Sequence, residues 1–297
     1  MAYTIAAFYR FTPISDASAL RVDLKQKLAH LGLCGTLLIA PEGINGTLAG
    51  VKSSVDAMLD ILHCQVGLPR EDVKFSNALE KPFNRIKIRL KREIITFNQP
   101  GFDPSVMAGE YVAAQDWNAL IADPEVLLVD TRNRYETRLG SFAEALDPGI
   151  EHFSDFVEYV RQNLDPARHR KIAMFCTGGI RCEKASSFML QEGFAEVYHL
   201  KGGILKYLED VPLQTSRWQG DCYVFDHRMA VGHGLSSGSY AMCFSCGEAL
   251  SEADKSHMQF EEGVSCHLCH ERTSAADKAR FRMRHAQIGG PERATGQ

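Results

Sequence analysis

The segment Lys171-Ile172-Ala173-Met174-Phe175-Cys176-Thr177-Gly178-Gly179-Ile180-Arg181-Cys182-Glu183-Lys184 puts a cysteine at the end of an apolar, strand-like run, then a glycine-rich turn, then a helical stretch. A strand that feeds a helix through so tight a turn belongs to a parallel sheet covered by helices, where reactive groups collect at the strand C-termini. Gly178 and Gly179 let the backbone fold so that several amide N–H groups converge on one centre, and the helix N-terminus adds partial positive charge. Such a cradle stabilises a thiolate, or a persulfide carried on it, and Arg181 supplies a full charge. Cys176 is therefore expected to be partly ionised at neutral pH and open to a substrate. The plain alternative, one more small buried apolar residue, describes most free cysteines but does not account for the glycine pair and the arginine. Cys182, in the first turn of the helix, reads as a resolving thiol or as packing, and packing is preferred.

The pattern around this loop supports the same sheet. From Val112 onward, Val126–Val129, Ile172–Phe175 and Val197–Leu200 read as strands, alternating with helices at Phe153–Asn163 and Glu183–Gln191. Over roughly a hundred residues that alternation predicts a parallel α/β layer. The chain's 297 residues allow two or three cores, and a different pattern precedes this one. Between Tyr3 and Phe97 the order is strand, helix, two strands, helix, strands. A helix is predicted from Ser15 to His30 with Leu20, Leu24, Leu28 and Leu31 on one face, and Gly32 as its stop. Thr36–Ala40 and Gly46–Ala49 flank a turn-rich Pro41-Glu42-Gly43-Ile44-Asn45, and a second helix starting at Ser53 or Ser54 buries Val55, Met58, Leu59 and Leu62. This βαββαβ order predicts a ferredoxin-like α+β domain. Asn98–Gly109, with Pro100, Gly101 and Pro104, reads as a connector, and after Trp218 the chain turns rich in Gly, Cys and His before a basic end with no core pattern. The expected divisions are 1–98, 110–217 and 218–297.

The nine cysteines are unevenly placed, four of them in two tight pairs, which suits a reducing compartment better than a disulfide scaffold. No apolar stretch is long enough to cross a bilayer and no basic leader opens the chain, so a cytoplasmic protein without a membrane partner is expected. The net charge of −4 neither favours nor excludes nucleic acid, because phosphate binding depends on where positive charge clusters.

One such cluster is Arg85-Ile86-Lys87-Ile88-Arg89-Leu90-Lys91. As a strand it would bury Ile86, Ile88 and Leu90 and present Arg85, Lys87, Arg89 and Lys91 in a row able to track a phosphate backbone; Lys81 and Arg92 extend it. The alternative is a solvated edge strand blunted by basic residues. Cys243-Phe244-Ser245-Cys246 and Cys266-His267-Leu268-Cys269, nineteen residues apart, have the spacing of a tetrahedral zinc site. Two redox dithiols, or His257, His267 or His270 in place of one thiolate, are the alternatives. With four thiolates the metal would be structural, since no position stays open. The Glu42–Asn45 loop reads as a substrate contact or as turn geometry alone, and the tail Lys278–His285, with Arg280, Arg282 and Arg284, as an RNA contact or a solvated terminus.

Three ordered motifs resemble those of rhodaneses: Val129-Asp130-Thr131-Arg132 with Glu136 and Gly140 following, the Cys176 loop, and His199-Leu200-Lys201-Gly202-Gly203-Ile204. The resemblance implies that Cys176 carries the reactive sulfur, with Arg181 beside it and Thr177, Gly178, Gly179, Ile180 and Cys182 forming the loop. Asp130 and Arg132 would order the sheet edge, their alternative being a surface ion pair of little value. In cysteine phosphatases of a related fold a longer loop separates cysteine from arginine; the four residues here suit a sulfur-sized occupant. Adding Ala40-Pro41-Glu42-Gly43-Ile44-Asn45-Gly46-Thr47 and Gly220-Asp221-Cys222-Tyr223-Val224-Phe225-Asp226-His227-Arg228, nearly the whole chain is similar to the bacterial TrhO family of tRNA uridine hydroxylases. That resemblance implies an α/β rhodanese-like central domain, preceded by an α+β ferredoxin-like (acylphosphatase-like) domain and followed by a small Cys-rich segment. It further implies an oxidoreductase that uses molecular oxygen to convert the wobble uridine of the tRNA anticodon arm to 5-hydroxyuridine. No flavin or nucleotide fingerprint is visible. A rhodanese-type sulfurtransferase is the alternative enzyme, and an RNA-binding scaffold with a relict loop the non-catalytic one.

Overall fold

The computed structural model describes residues 2–99 and 101–288; Pro100 of the connector and residues 289–297 of the tail lie outside the described residues. The N-terminal part runs β1 (Tyr3–Phe11), α1 (Ala17–Leu28), β2 (Cys34–Ala40), β3 (Gly43–Gly50), α2 (Lys52–Val66), β4 (Lys74–Ala78) and β5 (Ile86–Leu90). Its sheet has the order β4-β1-β3-β2-β5, antiparallel except for the β2–β5 pair. Strand alternation decides its two faces. Ala6, Phe8, Leu37, Ile39, Ile44, Leu48 and Ile88 pack beneath the helices with Leu24, Leu28, Val55, Met58, Leu59 and Leu62. The opposite face, with Ala7, Tyr9, Thr36, Leu38, Asn45 and Thr47, looks onto a cavity.

Two local expectations change. Gly43, Ile44 and Asn45 belong to β3 and not to a loop, leaving Pro41-Glu42 as the turn; Gly43 adopts φ +146, with the space for a Cβ filled by the Arg10 carbonyl oxygen of β1. Leu90 is 40% exposed, because β5 is an edge strand with only β2 beside it.

The central part follows with β6 (Glu110–Val112), α3 (Ala114–Leu120), β7 (Val126–Asp130), α4 (Arg134–Thr137), β8 (Gly140–Phe142), α5 (Phe156–Asn163), β9 (Lys171–Phe175), α6 (Ile180–Gln191), β10 (Glu196–Leu200) and α7 (Gly203–Asp210). Strands β6-β10-β9-β7 form a parallel sheet. Alternate residues of β9 supply two cores, Ile172 and Met174 on one face, Ala173 and Phe175 on the other, as a sheet covered on both sides requires. Helix α6 starts at Ile180, three residues ahead of the expected start, because Gly179 at φ +100 turns the chain directly into it. The C-terminal part holds β11 (Trp218–Gly220, paired with β8), β12 (Cys222–Tyr223), β13 (Ala230–Val231), β14 (Ala241–Met242), β15 (Ala249–Leu250), α8 (Glu252–Lys255) and α9 (Ala275–Ile288). The tail is thus a helix where no core pattern was legible. It is tied to the cysteine knuckles by Arg282 on Glu261 at 2.6 Å and Arg284 on the Phe244 carbonyl at 2.9 Å.

Asp130 and Arg132 are not a surface pair. Both side chains are fully buried, with Arg132 Nη2 donating at 2.6 Å to Asp130 Oδ2 and at 2.6 Å to the Gly140 carbonyl. They pin the start of β8 to the end of β7. Removing one partner of such a pair strands the other in the protein interior. Arg132→Met is therefore expected to destabilise the fold by about 3–5 kcal/mol, read from the urea midpoint.

Candidate active site

Cys176 follows β9, and the chain from Thr177 to Gly179 wraps back over its sulfur. The Gly179 amide donates to Sγ at 3.1 Å. The loop is gripped from behind by the Lys201-Gly202-Gly203-Ile204 segment: Ile204 N–H donates to the Cys176 carbonyl at 3.0 Å and Leu205 N–H to that of Thr177 at 3.1 Å. Gly203 is at φ +68, and a Cβ there would stand 2.5 Å from the Cys176 oxygen, so a glycine is what the contact admits.

Arg181 is not a free cation beside the sulfur. Its guanidinium is bidentate on Glu136, at 2.5 and 2.7 Å, and nearly buried. Glu136 also accepts from the Thr177 hydroxyl at 3.2 Å and the Asn133 amide at 3.1 Å. Burial alone would raise the Glu136 carboxyl, but Arg181 holds it below the usual range. Burial would likewise raise Cys176. Against it act the Cys182 thiol, the Arg181 charge and the backbone N–H groups of Cys182 and Arg181, and together they hold Cys176 well below the ordinary thiol range. Cys182 is driven the other way by burial and by the Cys176 charge, so it keeps its proton and points it at the neighbouring sulfur. Its Sγ also lies 3.5 Å from the Thr131 hydroxyl.

Cys176 is among the residues that line a cavity of about 520 Å³, in the range of small-molecule sites. All three parts of the chain line it: Tyr9, Asn45 and Lys74 from the first, Cys176, Thr177 and Gly178 from the second, Phe225 and Arg228 from the third. The expectation of an open sulfur is corrected in one respect, because Cys176 has no exposed surface in this conformation. Gly178 flanks it on the cavity side with open space where a Cβ would stand, so the loop has room to give way there.

The first-domain motif is a clamp. Glu42 accepts from Ile94 N–H at 2.6 Å and pairs at 2.9 Å with Lys184 of α6; Lys184 also pairs with Glu93 at 2.6 Å, and Asn45 donates to the Ile94 carbonyl at 2.9 Å. From the third part, Arg228 is held by Asp226 at 2.6 Å and donates to Ser76 at 3.0 Å.

The UPF0176 acylphosphatase like domain matches residues 3–94, and the Rhodanese-like domain matches residues 113–210. A tRNA uridine(34) hydroxylase of Deinococcus radiodurans is 53% identical over 282 residues, covering 95% of this chain and 93% of its own. The chain belongs to the tRNA uridine(34) hydroxylase family. Among solved structures, the rhodanese-like domain of an Anabaena protein matches 38% of this chain and 80% of its own at 22% identity and TM-score 0.32. An acylphosphatase from Coxiella burnetii matches 30% and 90% at 13% identity and TM-score 0.22.

In this tRNA uridine(34) hydroxylase family member, the row Arg85, Lys87, Arg89 and Lys91 is exposed, and the ladder continues past both ends of β5 through Gly35 N–H to Arg85 and Lys91 N–H to Ile39. Lys87 and Arg89 stand in register with Thr36 and Leu38, which line the cavity, and Lys91 lines it too. The basic row therefore flanks the cavity on the same sheet face.

Farther away, Cys243, Cys246, Cys266 and Cys269 bring four sulfurs within 4.8 Å of one another, a set that can hold a metal ion without any histidine. The Sγ separations of 4.0 Å (Cys243–Cys269), 3.7 Å (Cys246–Cys266) and 3.8 Å (Cys266–Cys269) match the edge of about 3.8 Å that Zn–S bonds of about 2.3 Å give a tetrahedron. Among the described residues no helix is long and apolar enough to cross a membrane.

Sequence reading missed Tyr9, Lys74 and Glu183. Glu183 lies inside the thiol motif, but its partner Tyr9, at 2.5 Å, is 174 positions away in the chain. Nothing local marks either Tyr9 or Lys74 as more than an ordinary strand residue.

Proposed function

We propose that this protein hydroxylates the wobble uridine of tRNA to 5-hydroxyuridine with molecular oxygen, acting in the cytoplasm as an oxidoreductase through Cys176. The observation that carries the reading is the place of Cys176, its pKa held low by its cradle, among the residues lining a cavity of about 520 Å³, in a chain homologous along its length to a tRNA uridine(34) hydroxylase. A uracil presented unstacked from the anticodon loop enters the cavity, as single-stranded bases do in modifying enzymes. Cys176 meets it once the loop yields at Gly178. Asp130, Arg132, Thr177, Gly179, Ile180 and Cys182 hold the loop's shape, and the Arg181–Glu136 pair both sets the field at the sulfur and fixes the loop to α4. Oxygen is the co-substrate.

Arg85, Lys87, Arg89 and Lys91 track the phosphates of the anticodon arm while the base occupies the cavity beside them. Reversing two of these charges in Lys87→Glu/Arg89→Glu is expected to weaken tRNA binding by about tenfold or more and to flatten the dependence of log Kd on log salt. Filter binding at several salt concentrations checks both. The four knuckle cysteines hold a structural zinc, whose binding free energy substitutes for the small core of that segment.

The experiment is the nucleoside profile of tRNA from cells lacking the protein, measured by mass spectrometry. Loss of 5-hydroxyuridine and its derivatives is the expected result. Because the loop also suits a persulfide, loss of a thiolated nucleoside would instead identify a sulfurtransferase, and an unchanged profile would leave only a scaffold role.

A further inference from the structure

The cavity contains two polar groups that neither the family motifs nor the reading above employs. Lys74 projects from β4 with its ammonium 4.8 Å from the Tyr9 ring centroid; burial lowers its pKa, while the nearby Asp72, Glu183 and Cys176 charges act to keep it protonated. It lies against the thiol loop's support, since a Cβ on Gly202 would stand 3.7 Å from Lys74 Cε. Tyr9 is hydrogen-bonded at 2.5 Å to Glu183, and its hydroxyl would be 2.9 Å from a Cβ on Gly179, the residue whose amide holds the Cys176 sulfur. The cavity lining thus brings together Cys176, a buried lysine and a phenol–carboxyl pair. Burial raises the Glu183 carboxyl above its usual range, against the Tyr9 and Tyr111 hydroxyls that donate to it; burial and the Glu183 and Cys176 charges push the Tyr9 phenol well above its own range, so Glu183 is the acid of the pair and Tyr9 its relay. Both Tyr9 and Lys74 line the cavity directly, and Tyr111 reaches Glu183 from the second part of the chain.

Resting on the proposed function, we propose that Lys74 and the Tyr9–Glu183 pair are catalytic groups that activate uracil for covalent addition of Cys176 at C6. The thiolate lone pair forms the S–C6 bond. The C5–C6 π pair shifts to C4–C5 and the carbonyl pair moves onto O4, which takes the negative charge the sulfur brought. Lys74 donates a hydrogen bond to O4, and the Tyr9 hydroxyl, resupplied by Glu183, delivers one proton to C5. The product is a neutral saturated adduct whose mass is the sum of protein and RNA. Nothing is oxidised or reduced, so the addition proceeds without oxygen and makes C5 an electron-rich carbon whenever that proton is withdrawn. An ionised sulfur, a cation for a carbonyl oxygen and a proton donor are the complete requirement of such an addition.

The test is an anticodon-stem RNA carrying 5-fluorouridine at the wobble position, where fluorine makes C6 more electrophilic and the adduct longer-lived. Incubated anaerobically with the full chain, it is expected to yield a denaturation-resistant complex of summed mass. Cys176→Ser should give none, and Lys74→Met and Tyr9→Phe should form it about a hundredfold more slowly while binding the RNA and melting as the parent does. Lys74→Arg, which keeps the charge, should recover part of the rate. If Lys74→Met forms the complex at the parent's rate, the role of Lys74 is overturned. A parent that hydroxylates uridine but gives no complex overturns the addition step alone. A parent that does neither refutes the functional reading, and this assignment falls with it.

Discussion

Cys176→Ser is expected to abolish the oxidised nucleoside, with a loss of at least about a thousandfold in rate, the scale seen when a covalent nucleophile is removed. The fold should survive, because serine occupies the same cradle and can accept the Gly179 N–H as the sulfur does. Chemistry separates them. The cradle, the Arg181 charge and the Cys182 thiol together bring a thiol below its ordinary range, whereas a hydroxyl starts far too high to be ionised by the same field. The measurement is the rate of nucleoside formation on purified, unmodified tRNA, with circular dichroism as the control for folding. The same cradle sets a pH dependence. The unfolded thiol titrates at about 8.5, and the folded one is depressed. Ionisation therefore stabilises the native state fully above the unfolded value, and that contribution is lost as pH falls to the folded value. Activity should remain on its plateau at neutral pH and fall only below it.

Stripping the knuckles is expected to have the second large effect. The segment around Cys243, Cys246, Cys266 and Cys269 has a core of only Cys243, Cys266, Cys269, Leu250 and the partly buried Phe260. So little apolar area cannot order it, while structural zinc in comparable small sites contributes about 10–16 kcal/mol of apparent binding free energy. Removing the metal with a strong chelator, or Cys266→Ala, should therefore unfold the region from β14 to α9, since Arg284 and Arg282 anchor that helix to the knuckles. Hydrogen exchange is the readout. Protection should vanish in this region and persist in β7, β9 and β10, whose cores are independent of it. Metal analysis of the purified chain should return one zinc per molecule.

The thiol loop was legible because its signals are contiguous: a β strand, two glycines and a helix within one short run. The two-faced burial of β9 and the helical spacing of α2 were legible for the same reason, since period and burial are written locally. What was not legible depends on distance. Arg181 reads as a free charge until Glu136, on a separate helix, is seen to hold it. Asp130 and Arg132 read as ordering the sheet edge, but a surface pair stays open until β8 and β11 are folded over them. Lys74 and Tyr9 sit at alternating positions of ordinary strands, and only the docking of the first domain on the second, through Lys184 with Glu42 and Glu93, turns their face into a cavity wall. Helix α9 carries few large apolar residues and is attached by arginine contacts instead of by an apolar stripe, so periodicity has little to detect there.

The most direct measurement is a reaction of the purified protein with unmodified tRNA under isotopically labelled oxygen gas, followed by mass analysis of the wobble nucleoside. A single labelled oxygen on that uridine, absent with Cys176→Ser, is the predicted result. Label entering from water, a gain of sulfur in place of oxygen, or equal conversion by the serine variant would contradict it.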